Sequence, residues 1–250
     1  MFFQDQIQPE AMAPVGTYSP ARGVAAAEIP LPSVRFRRVV DLSQEIRSDL
    51  QMFPAYPQPA FLRWTTREAH GFLAEALFLS SHTGTHVDAP IHCLPEGRSI
   101  DSFAPTRFIV PARLLDLRRL RARARIDRPA LRRALDGVPL RRGEAAILRT
   151  GWESKRGTGA YLDDNPGLTA DAARHLVRAG ASFAGVDAAN IDPPGALRLR
   201  AHEILLAGGV LVLENLSNLA AIRADRFTLI ALPLRLRGAT GSPIRAVALI

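Results

Sequence analysis

At 250 residues, 47% of them hydrophobic, the chain can bury one large core or two small ones; no run of about 18 apolar residues forms a membrane-spanning helix, and Met1-Phe2-Phe3-Gln4-Asp5 lacks the pattern of a secretory signal. Cys93 is the only cysteine, which excludes an internal disulfide and a thiol-rich zinc finger and makes a reducing cytoplasm the expected setting. A formal charge of +8 raises nucleic acid as a partner, but the arginines crowded between Arg113 and Arg142 have few aromatic neighbours to stack bases, so a solvated basic surface is expected and no nucleic-acid partner.

Residues 1–34 are rich in Pro and Ala and read as an irregular arm, leaving 35–250 as one domain. Val39 to Ser43 predicts a first strand and its exit, and Met52 to Pro59, with three prolines, an extended loop. Phe72 to Ser80 predicts a strand running into the segment Ser81–Cys93, and Ile109 to Leu117 another strand. A helix from Asp127 as cap, with Pro129 in its first turn, runs to about Leu135 and stops at Gly137. Ala145 to Thr150 is a buried strand. Thr169 caps a helix over Ala170–Ala179, closed by Gly180 in a left-handed conformation, and Ala181 to Val186 is the next strand. His202 to Ala207 is a short helix ended by Gly208-Gly209; Val210–Glu214, Phe227–Leu232 and Ala246–Ile250 are strands. Helices and strands intermingle without the beat of a (β/α)₈ barrel and without repeats, so the fold expected is a single mixed α/β domain with few helices.

The chemistry concentrates in S-H-T-G-T-H-V-D-A-P-I-H-C, where His82, His86, Asp88 and His92 fall within eleven residues. Imidazole and carboxylate together suit zinc, manganese or iron. Four extended residues span roughly 13 Å, too far for His82 and His86 to share an ion comfortably. A bend at Gly84 brings them together, and beyond it His86 and Asp88 point to one side of a strand. Thr83 and Thr85 are candidates for hydrogen bonds that fix ring tautomers. Cys93 as a nucleophile is the weaker reading, since its neighbours look like a metal site rather than a Cys–His pair. Downstream, His202 and Glu214 are joined by a helix, a Gly-Gly turn and a strand, a connection able to turn both toward one cavity.

These residues satisfy H-x-G-T-H-x-D-x-P-x-H in full, through His82, Gly84, Thr85, His86, Asp88, Pro90 and His92. With His202 and Glu214 twelve residues apart, and with Thr150-Gly151-Trp152, Asn165-Pro166-Gly167-Leu168, Gly185-Val186-Asp187, Ile191-Asp192 and Glu214-Asn215-Leu216, the chain from about Val39 onward resembles the cyclase-like metal hydrolases, whose best-known members are bacterial kynurenine formamidases. The resemblance implies a β/β/α fold assembled as homodimers or homotetramers, with one or two divalent ions, zinc or in some branches manganese. It implies that His82, His86 and Asp88 hold a first metal, that Asp88 bridges to a second held by His202 and Glu214, and that His92 transfers the proton. Glu214 keeps the carboxylate of two-metal sites, where some single-metal relatives that open cyclic amides carry a neutral amide. The arm is longer than in compact members, and Cys93 stands where many relatives have an aromatic residue.

The activity implied is hydrolysis of an amide, foremost N-formyl-kynurenine to kynurenine and formate in tryptophan catabolism, by metal-activated water with His92 as general base and acid. Phe53, Tyr56, Phe61, Trp64 and Trp152 are candidates for an aromatic-friendly pocket wall. A cyclic amide of the isatin kind, a lactone or a carbamate are the alternative substrates, and a non-catalytic metal-binding protein is the alternative of another class.

Overall fold

A computed structural model describes residues 36–196 and 198–250, so the arm expected over 1–34 lies outside the described residues. Among the described residues thirteen strands are formed: β1 (Val39–Asp41), β2 (Ala60–Thr65), β3 (Ala74–Phe78), β4 (His86–Asp88), β5 (Ile109–Asp116), β6 (Arg125–Ile126), β7 (Ala145–Arg149), β8 (Gly167–Leu168), β9 (Phe183–Val186), β10 (Leu211–Glu214), β11 (Arg226–Ile230), β12 (Gly241–Pro243) and β13 (Val247–Leu249). The helices are α1 (Arg67–His70), α2 (Arg128–Ala134), α3 (Ala160–Asp163), α4 (Ala170–Arg178) and α5 (Arg200–Ala207). Among the described residues no helix is long and apolar enough to cross a membrane.

Nine strands form one mixed sheet in the order β1-β13-β11-β5-β7-β9-β10-β4-β12. Its centre, β5-β7-β9-β10, is parallel, and pairing turns antiparallel on both sides. The parallel strands are covered on both faces and therefore read as continuous apolar runs, Ala145-Ala146-Ile147-Leu148 and Phe183-Ala184-Gly185-Val186, rather than as alternation. Helices α4 and α5 pack on one another, and α2 packs on α4 and β5. Local chemistry sets their ends: Asp127 Oδ1 accepts from Ala130 N at 2.8 Å, Thr169 Oγ1 from Ala172 N at 3.3 Å, and Gly180 closes α4 at φ +72°.

The predicted mixed α/β architecture is observed, with three departures. The strand predicted over Phe72–Ser80 does not enter the main sheet. It shortens to β3 and pairs with the unforeseen β2 in a separate hairpin whose side chains are largely exposed. The helix predicted from His202 starts at Arg200, because a cap reaches it from another segment. The short strands β6, β8 and β12 and the single-turn helices α1 and α3 were not foreseen.

Candidate metal centre

The site lies where the sheet turns antiparallel. Between Ser80 and Thr85 the chain bends, with Gly84 at φ +60° and its α-carbon packed so close to Ile46 that a Cβ there would lie 3.2 Å from that side chain. The bend brings the His82 and His86 ring centroids to 5.1 Å. The chain then enters β4, whose alternation sends His86 and Asp88 to the same side. Strand β10 lies antiparallel to β4 with Glu214 opposite His86 and Val212 opposite Asp88, so register alone sets Glu214 beside the histidine. His202 comes from α5, which precedes β10.

Distances within this group are short. His82 Nδ1 lies 2.8 Å from Asp88 Oδ1, and His86 Nε2 lies 3.4 Å from the same oxygen and 3.6 Å from Glu214 Oε2. His202 Nε2 lies 3.3 Å from Asp88 Oδ2 and 3.2 Å from Glu214 Oε1. Donor atoms of His82, His86 and Asp88 form one cluster within 4.8 Å, and those of Asp88, His202 and Glu214 form a second. All five side chains are buried. The structure thus brings together every residue expected to hold metal, with Asp88 common to both clusters.

Surrounding groups orient the rings. His86 Nδ1 donates to Gly84 O at 2.8 Å, and His202 Nδ1 to Asp192 Oδ2 at 2.6 Å, leaving each Nε2 directed at the carboxylates. His82 Nε2 is 2.9 Å from Thr240 Oγ1. Gly241 makes this possible: a Cβ there would meet Val87 O at 2.6 Å and His82 Cε1 at 3.0 Å. The threonines expected to do this work do not. Thr85 Oγ1 donates to Asn215 O at 2.6 Å and accepts from Gln44 N at 2.7 Å, so it ties the loop to neighbouring segments, while buried Thr83 Oγ1 has no partner among the described residues.

The electrostatics suit a cation. Burial alone would disfavour charge on Asp88, yet His86, His202 and His82 outweigh it and hold the carboxyl well below its usual range. For His86 burial is likewise outweighed, by Asp88 and Glu214, and its pKa rises to about 8; His202 is raised well above its ordinary value by Glu214, Asp192 and Asp88. Asp88 Oδ2 is buried without a hydrogen-bond donor among the described residues. An anionic oxygen left so, ringed by imidazole nitrogens and a second carboxylate, fits a divalent ion of the zinc or manganese kind.

His92 sits on the short turn after β4, its ring centroid 4.2 Å from that of His82 and 6.0 Å from that of His202. Its imidazole makes no hydrogen bond among the described residues, and burial lowers its pKa despite the pull of Asp88. It lines the cavity over the clusters together with Phe53, Tyr56, Asn190 and Asn215. Tyr56 stacks on His82 at 5.2 Å. The other expected wall aromatics lie elsewhere. Phe61 and Trp64 are on the β2–β3 hairpin, Trp64 being 74% exposed, and Trp152 is a core side chain whose Nε1 donates to Ala160 O at 3.2 Å. Cys93 is half-buried, and burial pushes its thiol up to about 11, the wrong direction for a nucleophile at neutral pH. Sequence reasoning gave no role to Asp192, Thr240 and Gly241; the first appeared only inside a family segment, and the others carry no spacing signal toward His82.

Fold and site together are those of a metal-dependent hydrolase. Residues 40–193 match the Cyclase family, and the chain belongs to it. It is 34% identical over 210 residues to a kynurenine formamidase of Bacillus thuringiensis (strain Al Hakam), covering 83% of this chain and 95% of that one. Among solved structures, isatin hydrolase A from Labrenzia aggregata, bound to benzyl benzoate, superposes with a TM-score of 0.78 at 25% identity, over 85% of this chain and 93% of that one. An isatin hydrolase bound to the product analogue thioisatinate gives 0.75 at 27% identity, over 85% and 92%.

Proposed function

We propose that this enzyme hydrolyses the C–N bond of a small-molecule amide, with an aryl formamide of the N-formyl-kynurenine type as substrate. The observation that carries the reading is an unengaged imidazole, His92, standing over two buried clusters that share Asp88. In this reading His82, His86 and Asp88 hold one divalent ion and Asp88, His202 and Glu214 a second, zinc before manganese. Such an ion polarises a carbonyl and lowers the pKa of water from 15.7 toward about 7. His92 takes a proton from the attacking water as its oxygen bonds to the formyl carbon, and returns a proton to the departing aryl nitrogen. Formamide and water become aryl amine and formate, with one proton released.

Space supports a split substrate. The chamber over the clusters holds about 80 Å³, enough for a formyl group and a few waters. A wider recess of about 420 Å³ shares Phe53, Asn190 and Leu199 with it and has room for the aryl part.

The test is His92→Ala. The variant should keep its metal and lose most turnover of N-formyl-kynurenine; loss of metal with activity regained on reconstitution refutes the role given to His92. A second reading, opening of a cyclic amide such as isatin, is favoured by the likeness to isatin hydrolases. Assays of both amides and simple lactones on one preparation, with and without chelator, separate the two, and turnover of none favours a metal-binding protein without catalysis. The reading also includes a cytoplasmic homodimer or homotetramer. The hairpin exposes the apolar side chains Phe61, Leu62, Trp64, Leu77 and Phe78, the kind of surface a subunit contact covers; light scattering of the purified chain tests it.

A further inference from the structure

Two amide side chains, Asn190 and Asn215, line the inner chamber, and each is oriented by a partner that leaves no choice. Asn215 Oδ1 accepts from the Tyr161 hydroxyl at 2.7 Å, and that hydroxyl oxygen lies 3.3 Å from Arg156 Nε. A guanidinium only donates, so the phenol oxygen accepts from it and sends its one hydrogen to Asn215. Arg156 is pinned in turn by Ser217 Oγ at 2.7 Å and Leu216 O at 2.7 Å. Asn190 Oδ1 accepts from the backbone N–H of Asp192 at 2.7 Å. Both oxygens are thereby engaged, and neither Nδ2 makes a hydrogen bond among the described residues.

The two amides flank one carboxylate. Asn215 follows Glu214 directly, and Ile191, next to Asn190, donates its N–H to Glu214 Oε1 at 2.7 Å. Asn215 also sits at φ +58°, in the left-handed region that asparagine adopts more readily than other non-glycine residues. An engaged amide oxygen, a one-way relay behind it and a free donor in front describe a group held for a ligand oxygen.

We propose that Nδ2 of Asn190 and Nδ2 of Asn215 donate together to the carbonyl oxygen of the scissile amide. This rests on the amide-hydrolase reading above and adds the groups that receive the charge. When the water oxygen bonds to the carbonyl carbon, the C=O π pair moves onto that oxygen, whose lone pairs accept both N–H groups. The pair returns as the C–N bond breaks and the nitrogen leaves with the proton from His92. Donors fixed in advance favour the charged oxygen over the neutral one, so their effect falls on kcat more than on KM.

Asn215→Gly keeps the left-handed backbone and removes the donor, and Asn190→Ala removes the other. Each should lower kcat on N-formyl-kynurenine about 10²- to 10³-fold, with KM within about threefold of wild type and metal content unchanged. Tyr161→Phe frees the Asn215 amide to turn; it should cost less, and nothing further once Asn215 is glycine. As a readout without turnover, the side-chain N–H resonances of both asparagines should move downfield when N-formyl-kynurenine is added to zinc-loaded His92→Ala protein. Full kcat in both variants, a rise in KM alone, or unmoved resonances overturn the inference while leaving the amide-hydrolase reading standing. A wild type inert on every amide overturns both.

Discussion

Asp192→Asn asks whether the second cluster is built to hold an ion. Asp192 Oδ1 accepts from Ala201 N at 2.7 Å, and Oδ2 from His202 N at 3.1 Å and His202 Nδ1 at 2.6 Å. Leu199, at the cap position of α5, has no side chain to offer the helix, so Asp192 caps it from the preceding loop while steering the His202 ring. Asparagine keeps the shape with one oxygen. With that oxygen on Ala201 N, its NH₂ group faces the two donors of His202. The lost cap is worth about 1 kcal/mol and the lost charge-assisted bond about 1.5–3 kcal/mol. Urea unfolding of metal-free protein should therefore show a loss of about 2.5–4 kcal/mol. A supporting hydrogen bond to a ligating histidine is worth about 10- to 100-fold in affinity. Competitive zinc titration should thus show one of two ions weakened by that factor and the other unchanged. Unaltered affinity for both ions would refute the assignment of His202 to a metal, and an unaltered unfolding midpoint would refute the capping argument.

Other substitutions and conditions test neighbouring parts. Gly241→Ala places a methyl 2.6 Å from Val87 O and 3.0 Å from His82 Cε1, so β12 must move off β4; thermal unfolding should fall by the equivalent of about 1–3 kcal/mol and zinc should bind more weakly. Asp88→Asn has a single oxygen to serve two clusters, and metal analysis should find at most one ion per chain, two retained ions being the refuting count. In metal-free protein His86 titrates near 8, above its ordinary value of 6.5; the stability this contributes, about 2 kcal/mol, is full below pH about 6.5 and lost as pH rises through about 8, so urea midpoints should decline over that window and a flat profile would refute it. Cys93, with its thiol near 11, should react with iodoacetamide far more slowly at pH about 7 than a free cysteine, and Cys93→Ser should keep full turnover.

How much of this was legible in the chain depended on distance along it. The bend at Gly84 and the shared side of His86 and Asp88 follow from four residues and the pleat of a strand, and the structure has both. His202 and Glu214 were legible because a helix, a glycine turn and a parallel-sheet strand return the chain to the same edge. Asp192 was not, since a carboxylate ten residues ahead of the histidine it steers obeys no local pattern. Thr240 lies 158 residues from the ring it contacts, and only strand pairing connects them. Strand β2 was missed because its side chains face solvent on both sides, so it carries no alternation between apolar and polar. Trp152 was misplaced because an aromatic residue after Thr150-Gly151 reads alike whether it turns to a pocket or to the core.

The site's place in the sheet also sets its balance of charge. One cluster draws on a bend and on β4; the other needs α5 and β10 as well, held in register with β4. The site is built around two buried carboxylates about 3.5 Å from imidazole nitrogens. In the metal-free state that concentration of negative charge is tolerable only with protons on His86 and His202, whose affinities for them are raised for this reason. A divalent ion held by these residues would take the place of those protons, and Asp88 Oδ2, without a hydrogen-bond donor among the described residues, would be free to meet it.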